Sequence, residues 1–183
     1  AQSEIKLLHA QVNPHFLFNA LNTLLAVIRK DSDKAGQLVQ NLSTFFRKNL
    51  KRSAEVVTLA EELEHVNAYL QIELARFPTQ LKVDLQVPDE FYFQKLPAFT
   101  LQPLVENAIK HGTSQLLSNG NIVIRAYRQH DGVVVEVEDN AGLYQQTGSG
   151  TRSNPEGGLG MSLVDKRLRA RFGDNYGISV SCD

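Results

Sequence analysis

The chain has 183 residues, 42% of them hydrophobic, and a formal net charge of −1 at pH 7. This length suffices for one domain or two small ones. The near-neutral charge gives no electrostatic basis for binding nucleic acid or an anionic membrane. A single cysteine, Cys182, excludes an internal disulfide and fits a reducing compartment.

No apolar run approaches the ~20 residues that span a bilayer, and no signal peptide is recognisable. The sequence begins without Met inside a helical pattern and stops just after a strand-like segment. We therefore interpret it as a fragment of a longer protein, whose missing parts hold any membrane or sensor segments.

The first half is predicted to be helical. Apolar residues recur three and four apart, as in a coiled-coil or bundle seam: Leu7, Ala10, Pro14, Leu17, Leu21, Leu24 and Ile28. A proline inside this pattern predicts a kink, because it removes a backbone donor and clashes with the preceding turn. His15 lies at the edge of the seam, and our hypothesis is that it is a nucleophile presented on a helix.

Two more helices follow in this half. The second has its apolar side formed by Ala35, Leu38, Leu42, Phe45 and Phe46. After a lapse in periodicity at 52–55, Thr58 to Glu61 matches a capping box, and an apolar stripe runs from Leu59 to Phe77. His65 is interpreted as a solvated surface histidine. A seam this long favours a helical hairpin that dimerises into a four-helix bundle.

After Pro78 the pattern changes from helical to mixed. Residues 81–87 alternate as a half-buried strand does, and a helix is predicted from Phe99 to His111 with Gly112 as its C-cap. Strands are predicted at 121–127 and 133–138, joined by a turn at Asp131-Gly132.

The remainder of the second half contains a Gly/Ser/Thr-rich stretch at 145–158, a helix at about 161–172 closed by Gly173, and a last strand at 178–181. These elements predict an α+β domain over 79–183, with antiparallel strands backed by helices.

Three segments of this second half carry chemistry. In the first, Glu106, Asn107 and Lys110 cluster on the polar side of an apolar helix. An Asn carbonyl oxygen suits a hard cation such as Mg²⁺, and a Lys ammonium suits a phosphate. An ordinary amphipathic surface helix explains the same pattern equally well.

In the second segment, Asp139 lies at a strand end close to Gly142, where its carboxylate can accept a hydrogen bond from a base amino group. Alone, an ordinary Asx turn is the simpler interpretation. In the third, Gly158 and Gly160 directly precede a helix, whose free N–H groups can bind phosphate. Alone, this glycine segment is weak evidence for a phosphate site, because it is also typical of a flexible hinge.

Together and in this order, the three segments resemble the N, G1 and G2 boxes of the ATP-binding fold shared by sensor histidine kinases, gyrase and MutL. The run Gln11-Val12-Asn13-Pro14-His15-Phe16-Leu17-Phe18-Asn19 resembles the phosphoacceptor motif of the LytS/YehU-type sensor histidine kinases. The segment 101–112 also resembles that family's N box. The resemblance covers about residues 7–180, and the YehU-like branch is the most similar.

The resemblance implies two domains. Residues 1–78 would form a helical-hairpin dimerisation and histidine phosphotransfer region. Residues 79–183 would form a Bergerat-type (GHKL) ATP-binding α/β sandwich that is truncated at its C-terminal strand. Among the site residues, His15 would be the phosphoacceptor and Asn107 would ligand Mg²⁺. Other nucleotide-binding roles would fall on Lys110, His111, Asp139, Gly142, Gly158 and Gly160, with residues 145–156 as a lid. For His111, a structural role as a cation at a helix C-terminus explains the residue as well as a role near the nucleotide does.

Two departures from the family pattern matter. The G1 box usually reads Asp-x-Gly-x-Gly, whereas both glycine positions are replaced in Asp139-Asn140-Ala141-Gly142-Leu143. An alanine methyl there crowds the adenine, which predicts a weak or altered nucleotide site. Many histidine kinases also place an acidic base directly after the phosphoacceptor, where this chain has Phe16. Proton removal then falls to Glu106 across the domain interface, or is not needed because neutral imidazole is already nucleophilic.

Three functions follow from these patterns. The first is ATP-dependent autophosphorylation of His15, followed by transfer to an aspartate of a response regulator of the LytTR type. The protein would act as a homodimer. Upstream helices would anchor it in the bacterial inner membrane, with this region in the cytoplasm. The second is a gyrase-type ATP hydrolase. It is disfavoured because Pro103 stands where the base carboxylate of that branch usually lies. The third is a non-catalytic dimeric signalling module with a degenerate nucleotide site.

Overall fold

A computed structural model describes residues 14–51, 56–112, 119–141 and 158–181. The chain divides into two compact units. Of the described residues, 14–51 and 64–78 form the first unit, and 56–63 join the residues after 78 in the second. The predicted domain limits, 1–78 and 79–183, stay a prediction, although residues 56–63 pack with the second unit.

Helices build the first unit: α1 (Pro14–Ile28), α2 (Ser32–Lys51) and the larger part of α3 (Leu59–Arg76). The predicted apolar side of α2 is confirmed, because Ala35, Leu38 and Phe45 are buried. The description of α1 begins at Pro14, so the predicted kink and the seam positions before it lie outside the described residues.

The structure divides the predicted seam of α1. Leu17 and Leu24 are half-buried within the unit, whereas Leu21 and Ile28 are exposed. Together with Phe18, which is 66% exposed, they belong to an exposed apolar stripe that comprises Phe18, Leu21, Leu25 and Ile28. The residues actually buried on α1 are Phe16 and Ala20.

The capping box before α3 is confirmed. The Thr58 backbone N–H donates to Glu61 Oε2 at 2.8 Å, and the Glu61 N–H donates to Thr58 Oγ1 at 3.3 Å. The sequence pattern missed the strand that precedes it. Strand β1 (Val56–Thr58) pairs antiparallel with β3 (Lys95–Pro97), and three residues are too short to show an alternation.

A three-stranded sheet forms the centre of the second unit, with β2 (Leu81–Gln86), β4 (Gly120–Gln129) and β5 (Gly132–Asp139) in the order β2-β4-β5. The α+β class is confirmed, but the prediction of purely antiparallel strands is wrong, because β2 runs parallel to β4 while β4 and β5 are antiparallel. A parallel pair needs a long crossover, and the connection that contains β3 and the helix after it supplies one.

The helix that was predicted from Phe99 to His111 has different limits. Helix α4 spans Leu101–Asn107, because Phe99 has a backbone φ of 60° and cannot continue a right-handed helix. A π-helical turn, Ala108–Gly112, replaces the last predicted α-helical turn. Such turns occur often at functional sites.

The predicted hairpin turn is also shifted by one residue. Gln129 pairs with Gly132, so the two turn residues are His130 and Asp131, and Gly132 already belongs to β5. His130 takes the positive φ, 52°, that such a tight turn requires. The Asp-Gly sequence had predicted that the turn would use the glycine.

Helix α5 (Gly158–Phe172) ends as predicted, with Gly173 at φ 104° donating its N–H to the carbonyl of Arg169 at 2.9 Å. The strand predicted at 178–181 is not formed. The Ile178 N–H donates instead to Asp165 Oδ1 on α5 at 2.8 Å, so this segment is bound to a helix.

Gly177→Ala is expected to lower the melting temperature of the second unit. A Cβ at this position would meet Asp165 Oδ1 and Arg169 Nη2. The hydrogen bonds from the Arg169 side chain and the Ile178 N–H lower the pKa of Asp165, and we expect the substitution to return that pKa toward its ordinary value, measured by NMR titration of the carboxyl group. The stabilisation that the lowered pKa represents is present above the ordinary aspartate pKa of about 3.9 and is lost as pH falls through the lowered pKa.

The matched control is Gly36→Ala in α2, where a Cβ would meet no atom of the described residues within 4 Å. Because glycine is a poor helix former, this variant is expected to gain about 1 kcal/mol. A Gly177→Ala variant that keeps the wild-type melting temperature and the wild-type pKa of Asp165 would contradict the packing argument.

Candidate functional site

His15 is exposed on the first turn of α1 as described. One helical turn later, the Asn19 side-chain amide nitrogen lies 3.2 Å from His15 Nδ1 and 3.4 Å from Nε2. A neutral imidazole has one acceptor nitrogen and one N–H, so Asn19 can donate to whichever nitrogen lacks the proton. The ring is therefore accessible and has a hydrogen-bond donor close to both nitrogens.

Phe16, the next residue, points the other way. It is 6% exposed, and its ring centroid lies 5.0 Å from those of Phe45 and Tyr69. Successive helical residues are rotated by ~100°, which lets His15 face solvent while Phe16 packs inward. The residue that follows His15 thus serves this chain as a packing anchor.

The prediction that His65 is solvated is wrong. It is fully buried and stacks on Phe45, with ring centroids 5.1 Å apart and an interplanar angle of 11°. Its ring therefore joins an aromatic cluster that consists of Phe16, Phe45, His65 and Tyr69. This cluster packs directly behind the turn that carries His15.

In the second unit, Glu106 and Asn107 are half-buried in the last turn of α4. The Gln102 side-chain amide donates to Glu106 Oε1 at 2.6 Å. Burial raises the pKa of Glu106, and the hydrogen bond from Gln102 opposes that shift. Lys110 is exposed on the π-helical turn, and the side chain of His111 lies outside what the structure describes.

Asp139 ends β5, against which the π-helical turn packs. Its Oδ1 accepts the Ala141 N–H at 2.9 Å in an Asx turn, and within the described part of the chain its Oδ2 makes no hydrogen bond. The Asn140 side chain fixes the same strand end, since it accepts the Asn121 N–H and donates to the Asn119 carbonyl, each at 2.8 Å. Gly142 lies outside the described residues.

Gly158 begins α5, and Gly160 follows in its first turn, next to α4. A Cβ at Gly160 would lie 3.5 Å from Pro103 Cβ, an ordinary contact, so packing against the described residues does not require glycine there. Arg167 of α5 donates to the carbonyl of Ala98 at 2.6 Å. The segments of Asn107 and Gly160 thus belong to two helices in direct contact.

The sequence pattern missed three residues that bind these segments. Two are Gln102 and Arg167, described above, and the third is Glu62, which accepts the N–H groups of Phe99 and Leu101 at the start of α4. A signal was present for two of them. Gln102 precedes Glu106 by four residues, a spacing that places both on one helix face. Glu62 interrupts the apolar stripe of α3 at a core spacing from Leu59 and Val66, which marks a buried carboxylate.

Comparison with known proteins finds similarity to sensor kinases. The family model for histidine kinases matches residues 3–81. The sensor histidine kinase BtsS of Escherichia coli (strain K12) is 68% identical over 182 residues, which cover 100% of this chain and 31% of that protein. The sensor protein LytS of Staphylococcus saprophyticus is 40% identical over 196 residues, covering 98% and 33%. LytS of Streptococcus agalactiae serotype V is 40% identical over 190 residues, covering 100% and 32%.

The whole chain is therefore similar to one region of sensor histidine kinases, and its first 81 residues include the match to the histidine kinase model. These similarities confirm the resemblance to the LytS/YehU-type sensor histidine kinases that the sequence motifs indicated. It spans about a third of the length of the curated relatives it matches. Among the described residues, the structure contains no helix that is long and apolar enough to cross a membrane.

Proposed function

We propose that this region transfers the γ-phosphoryl group of ATP to His15 and then to an aspartate of a response regulator of the LytTR type. The observation that carries the proposal is the exposed imidazole of His15 beside the buried Phe16. A nucleophile that accepts a group from another part of the protein must be accessible, and its helix must be held firmly.

The residues of the second unit fit ATP and Mg²⁺ by their chemistry. Mg²⁺ at phosphoryl-transfer sites uses few protein ligands together with phosphate oxygens, which suits the single amide oxygen of Asn107. The ammonium of Lys110 suits a phosphate, and Asp139 Oδ2 has acceptor capacity for an adenine amino group. ATP would supply the phosphoryl group, and Mg²⁺ would neutralise its charge.

This chain's own residues would bind, orient and move a proton. Phosphoryl transfer depends mostly on positioning and charge stabilisation. The raised pKa of Glu106, caused by burial, makes it a better proton acceptor than an ordinary carboxylate, and we propose it as the base for His15. The replaced glycines at 141 and 143 lead us to propose that ATP binds weakly.

We also propose that the chain works as a homodimer. The exposed apolar stripe of α1 has the three-and-four spacing of a helix-packing face. A second copy of α1 and α2 would complete a four-helix bundle. This proposal places the described region in the cytoplasm, where ATP and the response regulator are available.

Incubation with γ-labelled ATP tests the proposal. The wild type is expected to gain an acid-labile label, and His15→Gln, an exposed substitution that should leave the fold intact, is expected to gain none. His130→Asn is the matched control, because His130 is also exposed and asparagine tolerates its positive φ. Release of free phosphate without label would instead indicate a hydrolase, and neither label nor release would indicate a non-catalytic module.

A further inference from the structure

Glu62 is a fully buried carboxylate, 0% exposed, on α3. Its Oε1 accepts the Phe99 N–H and its Oε2 accepts the Leu101 N–H, both at 2.9 Å. A buried charge is tolerated only when it is well paired, and hydrogen bonds to a charged acceptor are stronger than neutral ones. Both oxygens of Glu62 are therefore used at the start of α4.

Helix α4 has no cap from its own sequence. Thr100 occupies the N-cap position but makes no side-chain capping bond, and its hydroxyl donates instead to the carbonyl of Pro97. The first N–H groups of a helix lack intrahelical partners, and a negative charge is favourable there. Glu62, 39 residues away from Leu101, supplies what the local sequence does not.

The turn before α4 is strained and is tied on two sides. Phe99 has a φ of 60°, a conformation that bulky residues rarely adopt. Such a conformation persists only where the surroundings fix it. Here Glu62 binds the Phe99 N–H, and Arg167 of α5 donates to the adjacent Ala98 carbonyl at 2.6 Å.

We propose that Glu62 is a positioning residue for the nucleotide site, acting through the start of α4. This helix has seven residues and carries Glu106 and Asn107 in its last turn, so a shift or fraying at its start displaces both side chains. Arg167, on α5, binds the same turn through the Ala98 carbonyl. Helix α5 begins at Gly158, one of the two glycines expected near the phosphates. The inference rests on the proposed function, in which Asn107 serves ATP and Mg²⁺.

Glu62→Gln provides the sharpest test, because it keeps the shape of the side chain but turns one acceptor oxygen into an amide donor that faces an N–H. We expect the KM for ATP in His15 labelling to rise about tenfold, with a smaller change in the rate at saturating ATP. In the nucleotide-free protein, hydrogen exchange at residues 99–105 should become faster. Arg167→Lys should shift the KM in the same direction.

Two controls separate positioning from general stability. Glu64 lies on the same helix, but its side chain is 66% exposed and paired with Lys48. Glu64→Gln should therefore change neither the KM for ATP nor the hydrogen exchange at residues 99–105. Leu81→Ala removes a buried side chain from β2 and lowers stability without changing a residue that binds the start of α4. It should therefore leave the KM for ATP unchanged.

Unchanged exchange at 99–105 in Glu62→Gln would overturn the inference. So would an unchanged KM in this variant while the wild type labels normally, or an equal rise of KM in Leu81→Ala. Absence of ATP binding and label in the wild type would overturn the proposed function, and this inference with it, and that failure is seen without any variant.

Discussion

Glu106→Gln is expected to make the chain more stable at mildly alkaline pH and to slow phosphorylation of His15 by about 10²–10⁴-fold, the usual contribution of a general base. Both effects have one cause. Burial raises the pKa of Glu106, so its ionised form is disfavoured in the folded chain. Glutamine removes that charge and can still accept the hydrogen bond from Gln102.

The pH dependence follows from the direction of the shift. A carboxyl group whose pKa is higher in the folded state binds protons more tightly in that state than in the unfolded chain. The free energy of unfolding therefore falls as the pH rises from the ordinary glutamate pKa of about 4.3 through the raised pKa. Thermal unfolding should show Glu106→Gln above the wild type on the alkaline side, with the difference vanishing in acid. The labelling rate of the wild type should rise with pH through the same pKa.

Glu90→Gln is the control, because Glu90 is an exposed glutamate of the same unit. It should change neither the melting temperature nor the rate. A Glu106→Gln variant that is labelled at the wild-type rate would contradict the assignment of Glu106 as a base. A variant that is less stable at alkaline pH would contradict the burial argument.

Phe16→Ala is expected to destabilise the first unit by about 3–5 kcal/mol, the usual cost of removing a buried phenylalanine ring. Phe16 contacts Phe45 and Tyr69 in the aromatic cluster. His15 labelling should also fall at temperatures where the unit is still folded, because the turn that presents the imidazole loses its anchor. Urea unfolding followed by circular dichroism gives the first quantity, and γ-labelled ATP gives the second.

Phe18→Ala is a matched control, since the same side chain two residues later is 66% exposed. Its removal should leave the unfolding free energy within about 0.5 kcal/mol, as surface substitutions usually do. Because Phe18 belongs to the apolar stripe proposed as the dimer contact, this variant should also lower the dimer fraction measured by sedimentation. The two unfolding free energies are therefore compared at protein concentrations at which both variants are monomeric. Equal destabilisation by the two variants would show that the aromatic cluster does not anchor α1.

Much of the local structure could be predicted from the sequence. The apolar side of α2, the capping box at Thr58 and Glu61, and the helix stop at Gly173 are all confirmed. Each depends on interactions between residues at most four positions apart, so a single sequence contains the whole signal. The motif around His15 identified the family for the same reason, because its residues are contiguous.

The pairing of distant segments could not be predicted. Alternation marks residues 81–87 as a strand but does not specify its partner, and β2 proved to run parallel to β4. The three-residue strands β1 and β3 gave no alternation to detect. Pairing depends on which surfaces are buried against each other, and that is a property of the whole unit.

The sequence by itself determined the class of the protein, the helices of its first unit and the residues that are candidates for its chemistry. Only the tertiary structure decided that His15 faces solvent while Phe16 is buried, that His65 lies in the core, and that a distant carboxylate, Glu62, caps the helix of Asn107. The physical reason is burial: it determines which polar groups lose water and must find partners, and those partners can lie anywhere in the chain.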